Sequence, residues 1–139
     1  MAARSKARKR ALDVLFECEV RGLPLGQTLD ERVVAADPPV NEYTVRLIRG
    51  ISEHQARIDE LVATYAQGWS LERMPAVDRN ALRIGAFELL YSDDVPDAVA
   101  VSEAVALVRD LSTDDSPAFV NGVLGSMQRD RDTLTLQGE

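Results

Sequence analysis

Apolar residues recur along this chain at helical intervals, and the breaks between them fall on glycine, proline and paired acids. From Arg4 to about Glu19, the residues Ala11, Val14, Leu15 and Cys18 follow the i, i+3, i+4, i+7 rule and mark one apolar stripe. Gly22, Pro24 and Gly26 interrupt it. Leu29, Val33 and Val34 support a short second helix over Thr28 to Ala36, ended by Asp37-Pro38-Pro39 because proline forbids continuation. The longest pattern runs from about Asn41 to Ala66. There Leu47, Ile51, His54, Ile58, Leu61 and Tyr65 alternate spacings of four and three and so keep to one face.

Gly68 is placed to end that helix, Ser70 to cap a short turn through Met74, and Pro75 to stop the turn. Asp78 is expected to cap the next helix, in which Leu82, Gly85, Ala86 and Leu89 line a face. Asp93-Asp94-Val95-Pro96 reads as a loop, and Ser102 as the cap of a helix turning Ala104, Val105, Leu107, Val108 and Leu111 inward. Ser116-Pro117 is a start signal, an N-cap followed by proline at the first helical position. Val120, Val123, Leu124 and Met127 form the last stripe, and the polar tail beyond Arg129 is expected to fray.

Period-2 alternation occurs only at Val99-Ala100-Val101, too short to seed a sheet. The chain is therefore read as all-α, a bundle of six or seven helices with short connections. Asn121-Gly122 is the awkward point, since that pair normally marks a turn and glycine inside a helix costs roughly 1 kcal/mol relative to alanine. A close approach by another backbone or a ligand is one explanation, and a misplaced boundary another.

At 139 residues and 45% hydrophobic composition, the chain suits one domain or two small halves sharing a core. The halves are expected at about 1–67 and 75–130. No segment approaches the ~18–20 uninterrupted apolar residues of a membrane helix, and the basic start lacks the apolar run of a signal peptide. A cytoplasmic location follows as the default. The single cysteine, Cys18, makes no internal disulfide, and with the single histidine, His54, it offers no metal-ligand set.

Charge changes the picture more. The formal net charge is −7, which alone argues against nucleic acid. Yet Arg4, Lys6, Arg8, Lys9 and Arg10 crowd five cations into seven positions, leaving 11 basic residues to face 23 acidic ones elsewhere. On a helix these cations span about 9 Å at ~1.5 Å per residue, enough to follow a few phosphates of a bent single strand. A solvated basic terminus, an acidic protein and a membrane surface remain alternatives. Phe16 and Phe119 each lie beside a stripe, where an aromatic either stacks a base or packs in the core. Asp78 and Asp115 suit helix caps, or carboxylates that accept from base amino groups. Asp114 with Asp115 makes a weak metal pair. His54, flanked by apolar neighbours, suits a packed histidine better than a general base, and nothing positive supports a Cys18–His54 nucleophile pair. Trp69 reads as a loop anchor. No phosphate loop, GxSxG, CxxC or HExxH motif is present, so the reading is a binding protein without cofactor and not an enzyme.

Several separated blocks resemble one family. Pro75-Ala76-Val77-Asp78-Arg79 with Leu82-Arg83-Ile84 and Glu88-Leu89, Asp94-Val95-Pro96 with Glu103-Ala104-Val105 and Leu107, Phe119-Val120-Asn121-Gly122-Val123-Leu124, and the basic start into Arg10-Ala11-Leu12 resemble the NusB family. Leu111-Ser112-Thr113-Asp114-Asp115-Ser116-Pro117 is similar to its actinobacterial branch. The resemblance covers nearly the whole chain. It implies two antiparallel three-helix bundles sharing a core, about seven helices, with Asn121-Gly122 helical. It also implies transcription antitermination through the boxA element of ribosomal RNA leader transcripts, in a heterodimer with the small-subunit ribosomal protein NusE, beside other Nus factors on RNA polymerase. Carried over by position, Arg4, Lys6, Arg8 and Lys9 or Arg10 would hold phosphates, Phe16 would lie beside the RNA, and Asp78, Asp115 and Phe119 would meet bases. Two positions depart from the pattern. Ser5 and Lys6 stand where relatives often carry arginine, and Phe16 replaces a common tyrosine, so a hydroxyl is lost while stacking is kept. The competing reading is a helical protein-interaction module or homodimer without RNA recognition of its own. Relatives of the fold also occur fused to a methyltransferase domain, of which this chain carries no motif.

Overall fold

The computed structural model describes residues 3–24, 27, 29, 31 and 41–134. Among them are five α-helices and no strand: α1 (Ala3–Arg21), α2 (Glu42–Tyr65), α3 (Ala76–Tyr91), α4 (Asp97–Leu111) and α5 (Ser116–Asp130). Short 3-10 turns occupy Leu71–Arg73 and Arg131–Thr133. Residues 27, 29 and 31 are helical; the rest of the expected helix from Thr28 to Ala36 lies outside the described residues. No described helix is long and apolar enough to cross a membrane.

The chain divides into two compact units, Met1–Glu53 and His54–Glu139. The division falls inside α2, whereas the sequence pattern parts the halves in the loop near 67–75. His54 there departs from helical geometry (φ −109°, ψ 16°), and the helix kinks. An unbroken spacing of four and three carries no sign of such a kink, because the pattern records only which residues are apolar and not the backbone angles at His54.

In the first unit, α1 buries Ala7, Ala11, Leu12, Val14, Leu15 and Cys18. Asn41 caps α2, its Oδ1 accepting from the Tyr43 N–H at 2.7 Å. Thr44 Oγ1 donates to the Ala7 carbonyl at 2.9 Å and ties the first turn of α2 to α1. At the other end of α1, Arg21 bonds Glu31 at 2.6 Å. That pair is exposed; it holds the guanidinium pKa up and the carboxyl pKa down.

In the second unit α3, α4 and α5 pack pairwise against one another. Every residue of α3 from Ala81 to Leu90 is buried. Gly85 shows why the three helices meet there. A Cβ at Gly85 would stand 2.6 Å from Leu124 Cδ1 and 3.0 Å from the Ala104 Cβ, so only a hydrogen leaves room for α4 and α5. Arg83, also buried, forks onto Asp59 through Nε and Nη2 at 2.8 and 3.0 Å and gives Nη1 to Asn80 at 2.9 Å. Arg79 donates to the carbonyls of Leu71 and Met74 and so fixes the 3-10 turn.

Several caps differ from the sequence reading. α3 begins two residues before Asp78, with Pro75 at the N-cap, because proline cannot supply the N–H that the preceding turn would need. α4 begins at Asp97 behind Pro96 for the same reason, so Val99-Ala100-Val101 is helical and Ser102 lies mid-helix, bonded to the Val99 carbonyl. Ser70 stands at an N-cap position without a side-chain cap bond. The N-cap of α5 is Asp115, with Ser116 already helical. The stripe of Val120, Val123, Leu124 and Met127 is buried as expected. Asn121-Gly122 is helical, but nothing lies within 4 Å of a Cβ built at Gly122, so close approach within the chain does not explain that glycine. Past Arg129 the chain continues as helix and 3-10 turn to Thr133, held by an Arg131–Asp97 ion pair at 2.5 Å.

Candidate nucleic-acid interface

The residues singled out from sequence fall in both units: Arg4, Lys6, Arg8, Lys9, Arg10 and Phe16 in the first, Asp78, Asp115 and Phe119 in the second. On α1 the buried stripe leaves one face outward. Lys6, Lys9, Arg10, Asp13, Phe16 and Val20 are all exposed, and their spacings place them together along that face. Phe16 is 47% exposed and Val20 70%. Side chains so exposed gain only part of what full burial would give, whereas an aromatic ring one to two turns beyond three cations suits a stacked base.

The first turn of α1 contains no acidic residue. Helix N-termini carry a partial positive charge, and cations near them cost about 0.3–1 kcal/mol each, an effect that fades beyond the first turn. Arg4 and Lys6 therefore stand at the less stable end of the helix dipole. The same arrangement adds the positive end of the helix dipole to the charge of the side chains, which favours an anion.

Two of the five arm cations turn elsewhere. Arg8, expected among the phosphate contacts, is buried at 4% exposure. Its position shares the inward face with Ala11, Leu12 and Leu15, so the periodicity that defines the stripe also draws Arg8 in. Its guanidinium lies 5.6 Å from the Tyr43 ring centre, and that of Arg4 lies over the same ring at 4.3 Å. Sequence reasoning does not single out Tyr43; an aromatic in the first turn after an Asn cap is the available signal.

In the second unit Asp78 is also buried. Ser112 Oγ donates to its Oδ1 at 2.6 Å, and Ser116 Oγ donates to its Oδ2 at 2.8 Å. Ser116 Oγ in turn accepts from the Thr113 N–H at 3.3 Å and lies 2.8 Å from Thr113 Oγ1. The carboxylate thus fastens the α4–α5 turn that carries Asp114 and Asp115, and both of its oxygens are engaged. Asp115 itself is exposed and makes no capping bond through its side chain. Phe119, half-buried, meets Trp69 with ring centres 5.5 Å apart at 40°. Trp69, read as a loop anchor, is 50% exposed. The pair lines a surface cavity of about 420 Å³ together with Gly122, Tyr65 and Ser126. Tyr65 gives its hydroxyl to Asp130 at 2.7 Å, and this bond raises its pKa by favouring the neutral phenol.

Cys18 is buried. His54 stacks on Tyr91 at 4.0 Å, a packing role. Among the described residues no group of three His, Cys, Asp or Glu side chains is placed to hold a metal ion.

Fold and face together define a small all-α protein with a polycationic, aromatic-edged helix exposed at its start. The model of the NusB family matches residues 5–129, and the chain belongs to the NusB family. It is 64% identical to the transcription antitermination protein NusB of a Nocardioides species, over 96% of this chain and 99% of that one. Identity to the protein of the same name from Thermobifida fusca is 53%, over 96% and 94%. Among solved structures, T. maritima NusB superposes with a TM-score of 0.82 at 34% identity, covering 94% of this chain and 93% of that one. A chain from a structure of the antitermination factors NusB and NusE in complex with dsRNA superposes with a TM-score of 0.76 at 28% identity, over 91% and 96%.

Proposed function

We propose that this chain is a cytoplasmic transcription antitermination factor, not an enzyme, that binds the boxA element of ribosomal RNA leader transcripts together with NusE, beside other Nus factors on RNA polymerase. The observation that carries this reading is the exposed face of α1, with Lys6, Lys9 and Arg10 leading to Phe16. Its curated relatives are named as antitermination proteins, and a related chain was solved with NusE and RNA. Lys6, Lys9 and Arg10 neutralise phosphates and release counterions, while Phe16 stacks a base. Arg4 adds a guanidinium edge, and buried Arg8 steadies Tyr43 behind it. Asp115 accepts from a base amino group and Phe119 stacks against a base beside Trp69, while Asp78 positions the turn that presents Asp115. The finer architecture, two antiparallel three-helix bundles with about seven helices, is proposed on the family resemblance and on the helical residues 27, 29 and 31.

The test is a titration of labelled boxA-like RNA and a scrambled control at two salt concentrations, with and without NusE. Sequence preference, weakening with salt and tightening by NusE are expected. A module that binds only protein, or only a second copy of itself, would show none of the three.

A further inference from the structure

The Tyr43 ring gathers a third guanidinium, from outside the basic arm. Arg46, one turn along α2, lies 5.8 Å from the ring centre, beside Arg4 at 4.3 Å and Arg8 at 5.6 Å. The ring is fixed at its base by the Asn41 cap and by the bond from Thr44 to the Ala7 carbonyl. Arg8 forms the buried inner side of this cluster, whereas Arg46 is exposed and Arg4 partly so. All three arginines make further contacts within the protein. A guanidinium near an aromatic face still carries a planar fork of N–H donors, suited to phosphate. Holding a long side chain against a fixed ring also removes part of the ordering cost that binding would otherwise incur. Arg49, exposed and one turn beyond Arg46, continues the same face of α2.

We infer that Arg46, followed by Arg49, extends the phosphate-gripping surface from α1 onto α2, with Tyr43 as the post around which the cations are arranged. This rests on the reading of α1 as an RNA-binding face. Tyr43 is only 9% exposed, so its ring is withheld from bases. The α2 contribution is therefore to the sugar–phosphate backbone and is independent of sequence.

The experiment measures RNA affinity against salt for the full chain, using boxA-like and scrambled single strands. The wild type, Arg46→Gln, Arg46→Lys and Arg10→Gln are compared, with circular dichroism confirming equal helix content. Arg46→Gln should weaken both RNAs by the same factor, roughly five- to tenfold. It should also make the slope of log affinity against log salt shallower by about 0.7, the change expected when one fewer phosphate of a single strand is neutralised. Arg46→Lys should keep the slope. If the wild type lacks a negative salt slope, the function proposed above and this inference both fall. If the wild type and Arg10→Gln behave as a phosphate grip requires while Arg46→Gln keeps affinity and slope, this inference alone is overturned. A loss at Arg46 confined to the boxA-like strand would also overturn it, since that would be base reading.

Discussion

α1 and α3 are both helices with cations inside them, yet they use charge in opposite ways. In α3 the guanidinium of Arg83 is buried, with its bonds to Asp59 and Asn80 near 3 Å. Its geometry is closed and its energy goes into the fold. In α1, Lys6, Lys9 and Arg10 lie open on one face, and Lys6 stands in the first turn at the positive end of the helix dipole. Their energy is withheld from the fold and becomes available to a ligand. These two sets of cations therefore separate stability from binding, and substitutions in one set should leave the contribution of the other measurable.

The largest effect is expected at Arg83. Arg83→Ala strands the Asp59 carboxylate and should cost about 3 kcal/mol or more of stability, read as the urea midpoint; a cost below ~1 kcal/mol would place that fork among the weak surface pairs. Gly85→Ala follows, at roughly 1–3 kcal/mol, because the new methyl meets the Ala104 Cβ at 3.0 Å. Arg10→Ala should reverse the pattern. RNA affinity falls roughly five- to tenfold while thermal stability stays within about 0.5 kcal/mol. Gly122→Ala, with open space around its Cβ, should stabilise α5 by up to about 1 kcal/mol in thermal unfolding; if a base occupies the cavity that Gly122 lines, RNA affinity falls as stability rises. The smallest change is at Lys6→Gln, expected to raise stability by a few tenths of a kcal/mol at most and to weaken RNA binding in the same preparation.

Repetition in the sequence is legible and exceptions to it are not. The stripes of α1 and α5 can be read residue by residue, since burial follows period 3.6. The starts of α3 and α4 are misplaced because Asp78 and Ser102 look like caps, while the prolines at 75 and 96 already supply the boundary. The cation cluster is visible as composition, but its division is not. Arg8 turns inward with Leu12 and Leu15, and Arg46 joins from α2 across a stretch of sequence that no local pattern spans. Asp78 similarly finds Ser112 and Ser116 more than thirty positions away. Long-range hydrogen bonds of that kind leave no periodic trace.

The most direct measurement is a residue-by-residue NMR map of the labelled protein as single-stranded boxA-like RNA is added at low salt. Shifts concentrated at Lys6, Lys9, Arg10 and Phe16, fading as salt is raised, are the predicted result. Saturable RNA binding that leaves the amides and side chains of α1 unmoved would contradict it.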